Sequence, residues 1–234
     1  MKVSETTKKI LKNFSEINSS FIGQKGNSQQ SKSKGSSFIC FATVEEDFPV
    51  EFGISKFDKI VKCMERIPDA ELNITKDSLR VENSQSSATF GTVPIEALGT
   101  IAKCIDVEYI DLKISISQKL IKDLHDYARL MKTNSDPKPK PKLGIKNSEY
   151  DSLVIEANGS DLFVQVQEQM SYANQTYKVN LGKTTERFKI HLHLGDWKFI
   201  DDDYVLEVCL EKKVARFTAS NHPVVYFQSF FVME

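Results

Sequence analysis

Residues 51–83 read EFGISKFDKIVKCMERIPDAELNITKDSLRVEN, and this stretch decides the local fold because it holds a strand, an amphipathic helix and a hairpin in order. Apolar residues in its middle part recur at steps of three and four, which places them on one side of a helix. They are Phe57, Ile60, Val61, Met64 and Ile67. The residues after Pro68 alternate between apolar and polar, as half-buried antiparallel strands do. We therefore expect a helix packed by its apolar face on an antiparallel sheet.

The same order of elements recurs later in the chain. Residues 111–132 read DLKISISQKLIKDLHDYARLMK, and a hairpin pattern, SLVIEANGSDLFVQVQE, follows at residues 152–168. In both places a strand leads into a basic helix that is followed by a hairpin, which indicates an internal duplication. A mostly uncharged stretch, residues 91–106, with Pro94 and two glycines separates the two copies and holds the connector. The predicted organisation is α+β, with an N-terminal domain at residues 1–92, a connector at 93–106 and a C-terminal domain at 107–234.

The overall composition excludes several classes of protein. The chain has 234 residues, of which 40% are hydrophobic and 27% are charged, and this is typical of a soluble globular protein rather than a disordered one. No apolar run approaches the length of a membrane span, and the polar amino terminus is unlike a secretory signal, so we expect no membrane partner and no export. The net charge of −1 argues against a protein that coats nucleic acid by global charge.

Positive charge is concentrated in three predicted helices. Residues 2–17, 56–66 and 117–133 each hold four basic and two acidic residues, so together they carry a net charge of +6 while the rest of the chain carries −7. A helix face that meets only water needs no such bias in sign, and mixed pairs would suit it better. The pattern favours loose contact with a polyanion such as a nucleic-acid backbone, and a solvated face stays open as the alternative.

The sequence holds no motif of an enzyme. It has no nucleotide-binding glycine loop, no nucleophile elbow and no zinc-protease motif. His191 and His193 share one face of a predicted strand, and Asp201, Asp202 and Asp203 follow one another. A structural histidine pair and a solvated acidic turn are the roles we expect for them, rather than metal ligation. We predict no catalytic residue, no metal and no cofactor.

The amino-terminal sequence MKVSETTKKILKNFSEINSS, residues 1–20, resembles that of the DNA polymerase sliding clamps (processivity factors) of T-even-type bacteriophages. Those clamps also open with Met-Lys-aliphatic-Ser and a helix of the type LLKNFxxIN. The matching residues here are Leu11, Lys12, Asn13, Phe14, Ile17 and Asn18. A weaker resemblance continues through residues 48–90, where helix, hairpin and strand follow in the family's order. Two stretches depart from the family pattern: the Ser/Gln-rich residues 26–37, which we expect to be a flexible loop, and the Lys/Pro-rich residues 136–142.

The resemblance implies the DNA-clamp fold, in which two similar domains of antiparallel sheet are backed by helices that line the channel of a closed homotrimeric ring. The ring would encircle duplex DNA without reading its sequence, be opened by a clamp loader ATPase, tether the replicative DNA polymerase and support viral late transcription. It would act in the cytoplasm of the infected bacterial host, at replication forks. The family's channel-lining basic positions match Lys8, Lys9, Lys12, Lys59, Lys62, Arg66, Lys122, Arg129 and Lys132 here, with Lys198 on a fourth helix expected near residues 194–200.

Clamps of this kind also present an apolar pocket for partner peptides near the connector. The matching candidates are Val93, Pro94, Ile95, Leu98 and Ile101, together with Phe230 and Phe231. Ordinary core packing is the alternative role for these residues. The candidates for the strands that pair between subunits are residues 87–93 and 175–182.

Two other interpretations stay open. A β-rich viral structural or assembly protein could use its basic helices to contact acidic surfaces of other subunits. A monomeric single-strand-binding module would interleave aromatic residues with the basic ones, whereas here the aromatic residues fall on the apolar faces. The size of the assembly in solution separates the three, because a trimer favours the clamp and a monomer or a large assembly counts against it.

Overall fold

The structure is a computed structural model, and it describes residues 1–133, 152–167 and 176–232. The described residues form three α-helices, α1 (Glu5–Ile17), α2 (Phe57–Arg66) and α3 (Gln118–Thr133). The strands of the first half are β1 (Phe21–Gly23), β2 (Gly26–Lys32), β3 (Phe38–Phe48), β4 (Phe52–Ile54), β5 (Glu71–Ile74), β6 (Ser78–Glu82) and β7 (Ser87–Gly91). Those of the second half are β8 (Leu112–Ile116), β9 (Ser152–Asn158), β10 (Asp161–Gln167), β11 (Thr176–Lys183), β12 (Arg187–His193), β13 (Tyr204–Cys209), β14 (Val214–Ala219), β15 (Val224–Ser229) and β16 (Phe231–Val232). None of the described helices is long and apolar enough to cross a membrane.

The chain divides into two compact units that are not continuous in sequence. Unit 1 consists of Met1–Asp106, Lys198–Asp202 and Phe217–Phe227. Unit 2 consists of Val107–Trp197, Asp203–Arg216 and Gln228–Glu234. Strands β14 and β15 therefore each contribute residues to both units. The division into residues 1–92, 93–106 and 107–234 stays a prediction, and the Lys/Pro-rich residues 136–142 lie outside the described part of the chain.

Unit 1 contains three groups of paired strands. β5, β6 and β7 form an antiparallel sheet in that order, β1 pairs with β4, and β3 lies between β2 and β15. The first residues of the chain cover one edge of the first sheet, because the Met1 amino group donates to the Leu72 carbonyl at 2.7 Å and Lys2 forms a β-bridge with Glu71. The edge at β5 is therefore covered, and β7 forms the opposite edge.

The two helices of unit 1 form where the sequence predicts them, except that α2 ends at Arg66 and the predicted Ile67 is its half-buried C-cap residue. Ser4 caps α1 by accepting a hydrogen bond from the Thr7 N–H at 3.2 Å. The buried residues are Thr7, Ile10, Leu11, Asn13 and Phe14 in α1 and Phe57, Ile60, Val61 and Met64 in α2. The ring of Phe21 in β1 joins the helices, since its centroid lies 5.8 Å from that of Phe14 and 4.3 Å from that of Phe57. The apolar faces therefore lie in the core, and the charged faces point away from it.

The Ser/Gln-rich residues 26–37 are not the flexible loop that their composition suggests. Residues 26–32 form β2, which pairs antiparallel with β3. Gln29 is completely buried, and its amide group is hydrogen-bonded to the backbone of Gln24 and Gly26. A polar side chain can occupy a core position when its donors and acceptor are satisfied in this way. Composition alone does not reveal such local satisfaction, so the loop prediction was wrong for residues 26–32, while residues 33–37 form the turn between β2 and β3.

Unit 2 contains a five-stranded antiparallel sheet in the order β11–β10–β9–β12–β16. α3 packs against this sheet at β10 and buries Ile121, Leu124 and Ala128. A separate pairing joins β13 to β8. Both units thus contain a strand, a helix and a hairpin in the same order, β4–α2–β5–β6 in unit 1 and β8–α3–β9–β10 in unit 2. This arrangement of antiparallel sheets and packed helices confirms the predicted α+β class.

The fourth helix expected near residues 194–200 is absent from this described stretch. It holds only a single 3₁₀ turn, Leu194–Asp196, and the chain then leaves helical geometry at Trp197. The Trp197 side chain is buried, and its indole N–H donates to Gln228 Oε1 at 2.6 Å. A large anchored side chain at this point fixes the path of the segment, so the expectation of a helix was wrong.

A buried ion-pair network lies within unit 2. The Glu207 carboxylate is 6% exposed and lies 2.7 Å from the Arg216 guanidinium and 3.1 Å from the Lys113 ammonium. Burial acts to raise the pKa of Glu207, but the hydrogen bonds and charges of Lys113 and Arg216 together outweigh it and hold the pKa below its ordinary value. The carboxylate therefore stabilises the folded state in its ionised form.

We expect Glu207→Gln to lower the free energy of unfolding at neutral pH by about 1–3 kcal/mol, because it leaves the Arg216 guanidinium without its anionic partner. This decrease in the free energy of unfolding is complete above the pKa of glutamate in the unfolded chain, about 4.3. It becomes smaller as the pH falls through the lower pKa of Glu207 in the folded protein, because the wild-type carboxyl then also becomes neutral. Urea unfolding of both proteins over this pH range measures it. Glu211→Gln, at an exposed turn, is the matched control, and a difference that does not change with pH would contradict the assignment.

Candidate nucleic-acid interface

The exposed sides of α1 and α2 carry the basic residues predicted for them. Lys9 and Lys12 are exposed on α1, and Lys8 is partly exposed beside them. On α2, Lys59, Lys62 and Arg66 are exposed opposite the buried apolar face. Because both helices bury their other side in the core of unit 1, their basic residues face away from that core.

An ion pair connects the two helices. The Lys12 ammonium on α1 lies 2.8 Å from the Glu65 carboxylate on α2. The hydrogen bond to Glu65, supported by the negative charge of that carboxylate, raises the pKa of Lys12 above its ordinary value. Lys12 is therefore fully charged at neutral pH, and the pair joins the two basic helix faces into one surface.

Carboxylates on the same helices partly neutralise this surface. Glu5 lies 2.7 Å from Lys8, and Asp58 lies 3.2 Å from Lys62, each one turn away along its own helix. Mixed pairs of this kind are also what a solvated helix face contains. The structure therefore keeps both interpretations of Lys8 and Lys62 open, the polyanion contact and the solvated face.

Four other cations are not neutralised in this way. Within the described residues, Lys9, Lys59, Arg66 and Lys198 have no carboxylate in ion-pair range. Lys198 lies beside α1 although its segment is not helical, because the Asn13 side-chain amide donates a hydrogen bond to the Lys198 carbonyl oxygen. We call Lys8, Lys9, Lys12, Lys59, Lys62, Arg66 and Lys198 together the cationic surface of unit 1. Its unpaired members are the ones whose charge is fully available to an anion.

The predicted basic residues of α3 lie in unit 2. Lys122 is exposed, and Arg129 is exposed but lies 3.4 Å from the Asp126 carboxylate. The side chain of Lys132 lies outside the described part of the structure. The same helix exposes two apolar side chains, Tyr127 and Leu130, with 40% and 58% of their surface accessible. The role of the α3 cations in binding a polyanion stays a prediction.

The predicted partner-peptide residues are only partly brought together. Leu98 and Ile101 line a small cavity in unit 1, of about 40 Å³, together with Phe21 and Ile22. Val93 forms a β-bridge with Gly53, and Pro94 and Ile95 lie at a short 3₁₀ turn outside that cavity lining. Phe230 and Phe231 belong to unit 2, where Phe230 is buried and Phe231 is 80% exposed on β16. The pocket as a whole stays a prediction.

The acidic stretch at residues 201–203 contains one buried residue, Asp202, between the exposed Asp201 and Asp203. The Asp202 carboxylate is completely buried and accepts hydrogen bonds from the backbone of Asn221 and His222 and from the Asn221 amide. Asp203 accepts from the Gln118 N–H at the start of α3. The described residues contain no cluster of three or more groups that could hold a metal ion. The expectation of a solvated turn was therefore wrong for Asp202.

Comparisons with known proteins bear on the fold. No family model matches the chain. The chain is 21% identical over 218 residues to the sliding clamp of Vibrio phage KVP40, and the match covers 89% of this chain and 90% of that relative. It is similar to A. fulgidus PCNA, solved with the C-terminal region of FEN-1, at a TM-score of 0.67 and 11% identity over 100% of this chain and 98% of that one.

It is also similar to the DNA polymerase sliding clamp of Pseudomonas aeruginosa, at a TM-score of 0.63 and 12% identity. That match covers 98% of this chain but only 63% of the longer bacterial one. These similarities show that the chain has the sliding-clamp fold, and they confirm the resemblance to phage sliding clamps that the amino-terminal sequence indicated.

We expect Glu65→Gln to strengthen the association with duplex DNA about two- to fivefold at low salt, because it releases Lys12 from its carboxylate partner. The slope of log affinity against log salt should steepen by up to about 0.9, the value of one added phosphate contact. Fluorescence anisotropy of a labelled duplex at several salt concentrations measures both. Glu96→Gln, an exposed position outside the helices, makes the same change in net charge; equal effects of the two variants would show that Lys12 meets no phosphate.

Proposed function

We propose that the protein is a sliding clamp that encircles duplex DNA as a homotrimeric ring and tethers the replicative DNA polymerase, which confers processivity. The observation that supports this proposal most directly is the sliding-clamp fold with a cationic surface on the exposed sides of its helices. The protein would act as a scaffold and not as an enzyme. In an infected bacterial cytoplasm, at replication forks, it would be opened by a clamp loader ATPase and would also support late transcription.

The charges of the cationic surface suit a ring that slides. Lysine and arginine at the ends of flexible stems attract phosphates diffusely, and salt screens that attraction beyond about 10 Å. Because a closed ring is held by topology, it needs no tight contact, and a tight contact would oppose movement along DNA. The pairing of Lys8, Lys12 and Lys62 with carboxylates keeps the attraction moderate, while the net charge of −7 outside the helical segments disfavours DNA elsewhere.

Two open sheet edges support assembly of the ring. β7 and β11 are terminal strands of their sheets, and no described strand pairs with the outer side of either. The opposite edge of the first sheet is covered by Met1 and Lys2 at β5. The opposite edge of the second sheet ends in β16, a strand of two residues, and so short an edge strand offers little backbone for pairing. An exposed strand edge is a template for pairing with another chain. Pairing of β7 in one subunit with β11 in the next would join two different edges, and such a head-to-tail contact forms a ring when the rotation from one subunit to the next closes.

Apolar side chains near β11 support the same contact. The rings of Tyr127 on α3 and Tyr177 on β11 stack with centroids 3.5 Å apart, and Leu130 is exposed on the same helix. Such exposed apolar groups are a common feature of protein contacts. On the other edge, β7 carries the half-buried Phe90.

Leu98 and Ile101 near the connector are the candidates that remain for a partner-peptide contact.

The backbone groups that face the open edge of β7 can be assigned. The Asn83 N–H donates to Ser86 and the Thr92 N–H to Asp77, which fixes the alternation of hydrogen bonds between β6 and β7. Thr89 falls between the bonded positions, so its N–H points away from β6. A proline at Thr89 would therefore remove a donor from the open edge and leave the pairing with β6 intact.

We expect Thr89→Pro to convert the trimer largely to monomer, while Thr89→Val keeps the trimer because its backbone N–H is retained. Multi-angle light scattering coupled to gel filtration gives the mass, and circular dichroism shows whether the monomer is folded. A wild-type protein that is monomeric or forms large particles would contradict the clamp, and large particles would favour a viral assembly protein. A Thr89→Pro variant that is folded and still trimeric would remove β7 from the interface.

We expect the double substitution Lys59→Ala with Arg66→Ala to weaken DNA association about five- to tenfold, because two unpaired cations are lost. Primer extension with the cognate polymerase and loader should then give shorter products, with the trimer unchanged by light scattering. Lys25→Ala with Lys76→Ala removes the same charge from two exposed turns and is the matched control. If the wild-type protein itself does not lengthen the products, the proposed function is wrong.

A further inference from the structure

Asn13 is a polar residue buried on α1 within the sequence LKNF. Only 4% of its surface is exposed, yet it lies on a helix whose other buried residues are mostly apolar. Both ends of its side-chain amide are used. Nδ2 donates to the Lys198 carbonyl oxygen, and Oδ1 accepts from the Tyr226 hydroxyl at 2.9 Å. A buried amide that satisfies two partners at once fixes both of them relative to the helix.

The partners of Asn13 hold one short segment, Lys198–Ile200, which we call the strap. The Tyr226 hydroxyl accepts a hydrogen bond from the Ile200 N–H at 3.1 Å, so the strap is bound at both of its ends. Between them, the Phe199 ring packs against Tyr226, with centroids 4.9 Å apart, and against Phe217 at 5.0 Å. The strap thus has a fixed place in unit 1 without being a helix or a strand.

The strap lies on a defined side of α1. Asn13 follows Lys9 by four residues, so the two project from the same side of the helix, one turn apart. Lys12 projects from the other side of the exposed face, toward Glu65 on α2. The Lys198 side chain is exposed and has no carboxylate in ion-pair range among the described residues. The backbone of Lys198 therefore lies on the side of α1 that faces away from α2, one turn from Lys9, and its side chain is exposed there.

We propose that Asn13 is a positioning residue for DNA contact, which together with Tyr226 holds the strap against α1 so that Lys198 joins Lys9 and Lys12 in one cationic surface. This inference rests on the proposed function. The site needs a donor and an acceptor in one side chain, which an amide supplies. A leucine of similar size would supply neither, and an aspartate would place a carboxylate against the Lys198 carbonyl. The amide thus replaces the missing fourth helix as the element that presents Lys198.

The test measures DNA association of the full-length protein by anisotropy over a range of salt concentrations. Lys198→Ala should weaken association about two- to fivefold and reduce the salt slope by up to about 0.9. Asn13→Leu should have the same two effects, and the double substitution should lose no more than either single one. Lys59→Ala combined with Asn13→Leu should instead show the sum of both effects, because Lys59 does not depend on the strap.

Tyr226→Phe removes one hydrogen bond from Asn13, one from Ile200 and one with the Cys40 thiol, and it leaves the sequence of α1 unchanged, so it serves if Asn13→Leu fails to fold. It should reduce the salt slope in the wild-type protein and leave it unchanged in the Lys198→Ala background. A further loss of affinity in that background would overturn the inference, since Asn13 and Tyr226 would then act on the fold and not through Lys198.

The two proposals fail in different ways. If Lys198→Ala leaves the association with DNA unchanged while Lys59→Ala with Arg66→Ala weakens it, the positioning role of Asn13 is wrong and the proposed clamp function is not contradicted. If the wild-type protein shows no salt-dependent association with duplex DNA and no effect on processivity, the proposed function falls, and the positioning role falls with it.

Discussion

The packing of two helices on one phenylalanine is the constraint on which the basic surface of unit 1 depends. Phe14 of α1 and Phe57 of α2 both contact Phe21, the first residue of β1. Because their apolar faces are buried against Phe21, the helices expose Lys9, Lys59 and Arg66 on the opposite faces. The charge pattern of the sequence becomes a surface only because this aromatic cluster fixes the rotation of each helix about its axis.

Carboxylates on the same helices partly neutralise the positive charge of this surface, and this lowers its affinity for DNA. Of the seven basic residues in the cationic surface of unit 1, three have a carboxylate partner within 3.2 Å. Exposed pairs of this kind add little stability, so their main effect is to lower the field that an approaching phosphate meets. A surface of uniform positive charge would bind DNA more tightly, and tight binding would oppose the movement of the proposed ring along the DNA.

Periodicity and capping were enough to predict α1 and α2, because Ser4 and the spacing of Ile10, Phe14, Ile60 and Met64 are local signals. They failed where tertiary contacts decide the outcome. Gln29 is a polar residue but is buried, because its side-chain amide is hydrogen-bonded to the backbone of the preceding turn. Lys198 was expected on a helix because the resemblance to phage clamps implied a fourth channel helix near residues 194–200, yet the Trp197–Gln228 hydrogen bond and the Asn13 amide fix its segment in another form. No one-dimensional pattern encodes a partner 185 residues away.

The unpaired edges of the sheets determine how copies of this chain can associate. Among the described residues, the sheet of unit 1 has one edge covered by the first residues of the chain and one open edge at β7, and the five-stranded sheet of unit 2 has a long open edge at β11 and a two-residue strand, β16, at its other end. In the proposed assembly β7 of one copy pairs with β11 of the next, so this contact is head-to-tail and the copies either close into a ring or continue without limit. Closure would pair β7 and β11 in every copy and would confine whatever passes through the ring. For the proposed ring, a weak and partly neutralised cationic surface would be sufficient, because topology and not the affinity of each contact would determine how long the protein stays on the DNA.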